Sequence, residues 1–564
     1  MNVKTVETQI PSNINNFELS RLPFSPSILM LIGLLTLYGV LAILQDRGSG
    51  DKLASGRFAG AKERRHAQEK AIEQMVMRKH NAVAFYIGTP TSRDDRRPLY
   101  FPDAQRSSII LGGPGSGKTF SFIDPALRSA LEQGFPTMLY DFKYPSQAKI
   151  ASYAMSLGYE VHIFAPGFPE SGVINPLDFL RSPTDTETAR QLVSVMNKNF
   201  RALTNSSGNR FFDTGGDQIG EGVLALAEST DFQDLLMAQT VLSLPNLPER
   251  LAAAEHIDPW ILKSFAQLIS SREASETVSG LIASATEVFS RFMKPNILSA
   301  FCGASTIPLD IHDRQLLIFG MDRQRRDIVG PVVAAIIHMM ITRNVSTPRE
   351  TPLMVFLDEL PTLMLPALAQ MVNENRSDGL CVIAGVQSYP QLEKTYGRDL
   401  ARVIFAGFGH KIVFNPQDSQ SAQAFSQYLG NQEITYKQRS RSYARKGGSS
   451  RSTSDQRQTK PLISASELLK LQTGECVVVS PGMANKKEAY VPLKTRINIP
   501  QRDLNKVTLS QRLWPKLHKQ LSDHSPQKQL VDTDVTARIR AAEMLLPLPE
   551  ESDEALLERI QEML

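Results

Sequence analysis

Cysteine is scarce in this chain: Cys302, Cys381 and Cys476 are the only three in 564 residues, far apart and without paired spacing. That excludes a disulfide framework or a zinc knuckle and suits a reducing compartment. A strong excess of one charge is also lacking. A formal net charge of +4 excludes a histone-like coat on nucleic acid, so any contact with DNA must come from local basic patches. No internal repeat is present, which excludes a solenoid. Hydrophobic content of 42% and charged content of 21% are those of a globular protein, and the length calls for more than one folded lobe.

One stretch departs from that composition. Leu22 to Gln45 carries no charge and is apolar on every face, long enough to cross a bilayer as one helix. No small-residue cleavage pattern follows it, against a signal peptide. Arg47, Lys52, Arg57, Lys62, Arg64 and Arg65 lie after it, whereas Lys4 and Arg21 before it are balanced by Glu7 and Glu18. The positive-inside rule then predicts a single-pass membrane protein, with residues 1–21 outside and the large C-terminal body in the cytoplasm. Residues 46–80 are charged and alanine-rich and read as a helical linker whose basic side chains can meet anionic lipid.

Beyond residue 81 the pattern turns to short apolar runs bounded by turns: SSIILGG, TMLYDF, EVHIFAP, QLLIFGM, LMVFLDE, LCVIAGVQ, HKIVFNP and ECVVVSP. Runs apolar on both faces that alternate with helical stretches predict a mostly parallel sheet covered on both sides, an α/β class. Between 182 and 308 only helical spacing is found. This predicts an all-helical lobe inserted into one nucleotide-binding domain, between its N-terminal half (81–181) and its C-terminal half (309–505). Within the C-terminal half, residues 436–460 are basic, rich in serine and glycine and nearly free of apolar side chains, and read as a flexible loop. Residues 506–564 read as a tail with an acidic, leucine-bearing end, either an interaction peptide or a solubilising one.

The strongest motif is Gly112, Gly113, Pro114, Gly115, Ser116, Gly117, Lys118 and Thr119, directly after the strand SSIIL. This is a P-loop: glycines let backbone amides wrap a phosphate, Lys118 supplies charge to the outer phosphates, and the Thr119 hydroxyl ligates magnesium. ATP and Mg²⁺ are the cofactors it predicts. A hydrolase also needs acids at the end of a neighbouring strand, and PLMVFLDELP supplies them. Asp358 is placed to hold the metal and Glu359 to deprotonate water. Gln387, after a further strand, is placed to sense the γ-phosphate or the lytic water. Arg376 in NENRSDGL is a candidate to act in trans on a neighbour's nucleotide, against the alternative of a surface salt bridge.

Taken in order, GGPGSGKT, MLYDFKYP, VINPLD, NRFFDTGGD, FLDELPTL, NENRSDGL and GVQSYPQLEKTYG resemble the type IV secretion coupling proteins, conjugative ATPases of the TraG/TraD kind, from about residue 80 to 500. The resemblance implies a RecA-like P-loop domain interrupted by an all-helical lobe. It also implies a homohexamer around a channel, and ATP-driven delivery of DNA with its attached relaxase to type IV secretion channel components. Arg376 as finger and Gln387 as sensor fall in the matching motifs. Many members of the family have two membrane helices, whereas one is found here.

The basic stretch carries Lys437, Arg439, Arg441, Arg445, Lys446, Arg451, Arg457 and Lys460 against Asp455 alone. Such a stretch predicts sequence-independent, salt-sensitive binding of DNA, with Tyr436 and Tyr443 available to stack on single-stranded bases. Two other functions compete: a coupling ATPase for protein effectors only, and a scaffold that recruits substrate without being a motor. Intact Lys118, Thr119, Asp358 and Glu359 argue against the scaffold.

Overall fold

The computed structural model describes residues 56–88, 98–204, 210–443, 449–485 and 488–549. The apolar stretch 22–45 lies outside them. No helix among the described residues is long and apolar enough to cross a membrane.

Strands β1 (Ala84–Ile87) and β2 (Leu99–Pro102) form an antiparallel pair. The helix Ala61–Met77 covers it, burying Ala67 and Ala71 on one face. The main sheet takes β3 (Ser108–Leu111), β4 (Thr137–Asp141), β5 (Glu160–Phe164), β6 (Gln315–Gly320), β7 (Leu353–Leu357), β8 (Leu380–Val386) and β9 (His410–Val413). A hairpin, β10 (Asn431–Tyr443) with β11 (Ser449–Pro461), stands as a separate two-stranded sheet, and β12 (Glu475–Val479) and β13 (Leu493–Arg496) close the main one. The main sheet has nine strands in the order β13-β12-β9-β3-β8-β7-β4-β6-β5. Its strands from β9 to β5 run parallel, and β12 and β13 add antiparallel at one edge. The eight apolar runs found in the sequence are all strands of this sheet; those inside it are buried on both faces and so read as continuous hydrophobic sequence, while β5 at the edge is buried only at Ile163 and Phe164.

The described residues from 182 to 308 hold helices and no strand. Helices Thr186–Thr204, Arg210–Glu228, Leu235–Leu242 and Ser275–Ser290 pack together there around buried Val193, Val223, Leu235, Phe265 and Phe289.

Two stretches differ from the sequence expectation. The basic segment from 436 to 460 is no loop but most of the hairpin β10–β11, closed by Tyr436 Oη donating to Gln456 Oε1 at 2.7 Å and by Arg457–Glu433 at 3.4 Å. The end of the chain is no loose tail up to residue 549. Helix Gln501–Asp523 buries Trp514 and Leu517 against the nucleotide-binding domain, and helix Asp532–Leu545 lies on Leu235–Leu242 of the helical lobe. Gln527, between the two, donates to the carbonyls of Phe168 and Ser171 and accepts from Ser299 Oγ at 2.6 Å. The acidic end, 550–564, lies outside the described residues.

Candidate active site

Strand register builds the site. Leu111 of β3 stands beside Val386 of β8 and Val413 of β9, Leu357 of β7 beside Ala384 of β8 and Tyr140 of β4, and Asp141 beside Gly320 of β6. The loops after β3, β8, β7 and β4 therefore leave the sheet in one row at its carboxyl edge, the usual place of ligand sites in parallel sheets. Those loops carry Gly112–Thr119, Gln387, Asp358–Glu359 and Asp141–Tyr144.

The loop after β3 turns back over Gly115 (φ +74°) and Gly117 (φ +98°), a left-handed backbone open to glycine at little cost. Lys118–Ile123 then wind as a π-helix that passes into the helix Asp124–Gln133. Three side chains and backbone groups clasp the loop from the β9 side. Gln417 Nε2 donates to Pro114 O at 2.8 Å, Thr473 Oγ1 to Gly115 O at 3.2 Å, and Gly474 N to Ser116 O at 3.0 Å. Sequence reasoning misses these contacts; the one signal for Gln417 is its place just after β9, next to the P-loop strand.

The expected polar residues come together. Thr119 Oγ1 donates to Asp358 Oδ1 at 2.8 Å. Lys118, buried, places Nζ at 3.2 Å from Asp358 O and 3.5 Å from Glu359 Oε2. Gln387 Nε2 donates to the same Glu359 oxygen at 2.7 Å. Burial holds the Glu359 carboxyl above its ordinary range, against the opposing pull of Lys118 and Gln387. Deeper in, Asp141 accepts backbone amides of Lys143, Gln147 and Ala148, and burial still raises it to about 6. Burial lifts Asp124 to about 7, with the Asp358 charge adding to the rise and a bond from Gln147 opposing it.

Gly385 of β8 explains why so small a residue is needed beside the acids. A Cβ there would stand 2.1 Å from the backbone oxygen of Asp358. Gly385→Ala must displace the strand end that presents Asp358 and Glu359. It is expected to cost about 1–3 kcal/mol of stability by overpacking and to abolish nucleotide turnover. Equilibrium unfolding beside a phosphate-release assay checks both.

Arg376 is not part of this site within one protomer. It is exposed in the turn before β8, at the far end of a seven-residue strand, roughly 20 Å from the row of site loops. No carboxylate among the described residues forms an ion pair with it. Among the basic residues of the hairpin, Lys437 is exposed on β10; Arg439, Arg441 and Arg451 belong to its two strands, and Arg445 and Lys446 lie outside the described residues.

A nucleotide with magnesium fits what is present. Thr119 and Asp358 offer a pair of hard oxygens, Ser116 Oγ is buried without a partner inside the loop, and Lys118 points to the same place. No cluster of three His, Cys, Asp or Glu side chains able to hold a metal occurs among the described residues. Magnesium takes one or two protein ligands and the phosphates themselves, and Thr119 and Asp358 are two such oxygens.

The model of the type IV secretion-system coupling protein DNA-binding domain matches residues 251–491. Residues 251–491 are thus similar to the DNA-binding domain of the type IV secretion-system coupling proteins. Coupling protein TraD of Escherichia coli K12 is 32% identical over 158 residues, 27% of this chain and 22% of that protein. The probable conjugal transfer protein TraG of Sinorhizobium fredii is 25% identical over 398 residues, 67% of this chain and 60% of that one. The chain thus aligns with less than two thirds of the length of these coupling-protein relatives. Among solved structures, the plasmid coupling protein TrwB in complex with ADP and Mg²⁺ superposes with a TM-score of 0.57 at 18% identity, over 80% of this chain and 97% of that one. The shared fold is a mixed α/β, RecA-like P-loop domain carrying a helical domain.

Proposed function

We propose that the chain is an ATP-hydrolysing motor that delivers DNA, with its attached relaxase, to a type IV secretion or conjugation channel. The observation that carries this reading is the joined set at the carboxyl edge of the sheet: Thr119 on Asp358, and Lys118 and Gln387 on Glu359. Bound ATP with Mg²⁺ supplies the phosphoanhydride to be cleaved and the charge that polarises it. The amides of Gly113–Gly117 and the Lys118 ammonium hold the phosphates, and Thr119 and Asp358 hold the metal. Glu359, ionised, takes a proton from water as its oxygen attacks the γ-phosphorus; the bond to the β–γ bridging oxygen breaks, leaving ADP and phosphate. Gln387, bonded to Glu359, fixes the direction of that carboxylate.

The likeness to coupling proteins, and the DNA-binding description of the model matching 251–491, support DNA as the cargo. The hairpin lies within the matched residues. Strand β10 carries Lys437, Arg439 and Arg441 at alternate positions. A homohexamer in which Arg376 reaches the neighbour's nucleotide, and an inner-membrane anchor at 22–45 with the body in the cytoplasm, complete the proposal.

The test is ATP hydrolysis by the full chain in detergent, with and without single- and double-stranded DNA, beside Lys118→Ala. DNA-stimulated hydrolysis that vanishes in the variant supports the motor. Hydrolysis indifferent to DNA transfers the reading to protein cargo, and no hydrolysis under any condition leaves a substrate-recruiting scaffold. Replacing Lys437, Arg439 and Arg441 together by Gln is expected to weaken DNA binding uniformly across sequences. The slope of log affinity against log salt should then fall by about 0.9 for each duplex phosphate that is no longer neutralised.

A further inference from the structure

A cavity of about 710 Å³ opens at the start of helix Ala61–Met77 and shares none of the nucleotide-site residues. Lys62, Arg64 and Arg65 of that helix and Lys494 of β13 line it, and no carboxylate does. The helix directs these cations there for a simple reason. Its buried side is Glu63, Ala67, Ala71 and Gln74, which leaves Ala61, Arg64, Arg65 and Gln68, spaced by three and four residues, on the cavity side.

None of the four cations is ion-paired among the described residues, although their neighbours are. Arg57 pairs with Glu63 at 2.6 Å and Glu488 at 2.8 Å, and Lys70 with Asp103 at 2.6 Å. Glu63 also accepts the Gly60 amide at 2.9 Å. Glu63, Glu488 and Asp103 are thus committed elsewhere, and four like charges line one cavity. Buried Tyr100 and Leu493, with Pro98, add apolar lining beside them.

We propose that this cavity binds the phosphate headgroup of an anionic membrane lipid. A rim of unpaired cations recognises the phosphate, and the apolar lining and the volume suit a headgroup with its glycerol better than a bare phosphate ion. The location agrees. Gln45, the last residue of the apolar stretch, precedes Ala59 by 14 residues, so the chain cannot carry the cavity more than roughly 50 Å from the membrane surface. This inference rests on the reading of 22–45 as a membrane anchor. Basic groups next to a membrane helix meet the negative surface of the cytoplasmic leaflet.

The experiment uses the full chain in non-ionic detergent micelles doped with diphosphatidylglycerol, phosphatidylglycerol or phosphatidylcholine, with retained lipid counted by native mass spectrometry. Both anionic lipids should be retained and phosphatidylcholine should not. The combined variant Lys62→Gln, Arg64→Gln, Arg65→Gln and Lys494→Gln should lower anionic-lipid retention at least tenfold, with an unchanged melting curve and unchanged ATP hydrolysis. Equal retention by the variant, or equal retention of phosphatidylcholine, overturns the proposal. So does displacement by millimolar inorganic phosphate, which assigns the cavity to a free anion, or loss of duplex DNA binding without loss of lipid, which assigns it to nucleic acid. Sedimentation of the full chain with cell membranes tests the anchor separately, because headgroup retention in micelles does not require that residues 22–45 span a bilayer.

Discussion

Glu359→Gln is expected to lower the turnover of ATP by about 10²–10⁴-fold while leaving nucleotide affinity within a few-fold of the parent. The amide keeps the shape of the carboxylate and can still meet Gln387, which stands 2.7 Å away, but it cannot take a proton from water. Lys118→Ala should behave differently and lose binding as well as turnover, because its charge faces the phosphates before and during the reaction. The pH profile gives the same assignment a second readout. Burial raises the Glu359 carboxyl, and a base must be ionised to act, so activity falls on the acid side at a pH above that of an ordinary carboxylate. Lys118 is one of the groups that oppose that rise, at 3.5 Å from the carboxylate. Phosphates that draw the ammonium away therefore move the acid limb of kcat upward relative to that of kcat/KM. Coincident limbs near the ordinary carboxylate range, or a Gln variant with parent turnover, would remove Glu359 from the role of base.

The second large effect is structural. Asp234→Ala is expected to destabilise the protein by about 3–5 kcal/mol, because it strands a buried cation. Arg538 forms a two-pronged pair with Asp234, with Nε at 3.1 Å from Oδ1, and both side chains are nearly inaccessible to water. The same oxygen of Asp234 accepts the Met237 amide at 2.9 Å and caps the helix Leu235–Leu242. Asp234→Asn preserves a capping oxygen yet removes the charge, so it separates the two contributions. Most of the loss should remain in Asn. Pairing it with Arg538→Met should recover some of the loss, since the uncompensated charge is then gone. Denaturant unfolding measures the totals, and hydrogen exchange should show Asp532–Leu545 loosening first. Losses under about 1 kcal/mol in all three variants would mean that the pair adds nothing to the lobe.

What can be read from the sequence follows the same physics. β3, β4, β6 to β9 and β12 are legible because both their faces are buried, and the P-loop because phosphate wrapping admits few residues at each place. β1, β2 and β13 escape notice for other reasons: the first two form a separate pair outside the alternation of strands and helices, and β13 is mostly polar and only partly buried. The hairpin β10–β11 reads as a loop because its polar sequence has no alternation of apolar and polar residues to betray a strand. The terminal helices look like a tail for another reason. Their buried residues are few and half of them polar, Asp503, Ser510, Trp514 and Leu517 in one and Arg538 and Ala542 in the other, and an arginine or aspartate is a poor signal for a core position. At the site, Asp358, Glu359 and Gln387 are legible from strand ends, whereas Gln417 and Thr473 act through backbone carbonyls of the P-loop, a contact that leaves no motif.

The pair between Asp234 and Arg538 also sets a clock on biosynthesis. Their positions are 304 residues apart in the chain, so at ribosomal speeds of about 5–20 residues per second the aspartate waits roughly 15–60 s for its partner to be made. For that interval the nascent helical lobe holds an unneutralised carboxylate and an uncovered face where Ala542 and Leu546 will later sit, which makes it a natural client for chaperones until the last helices arrive.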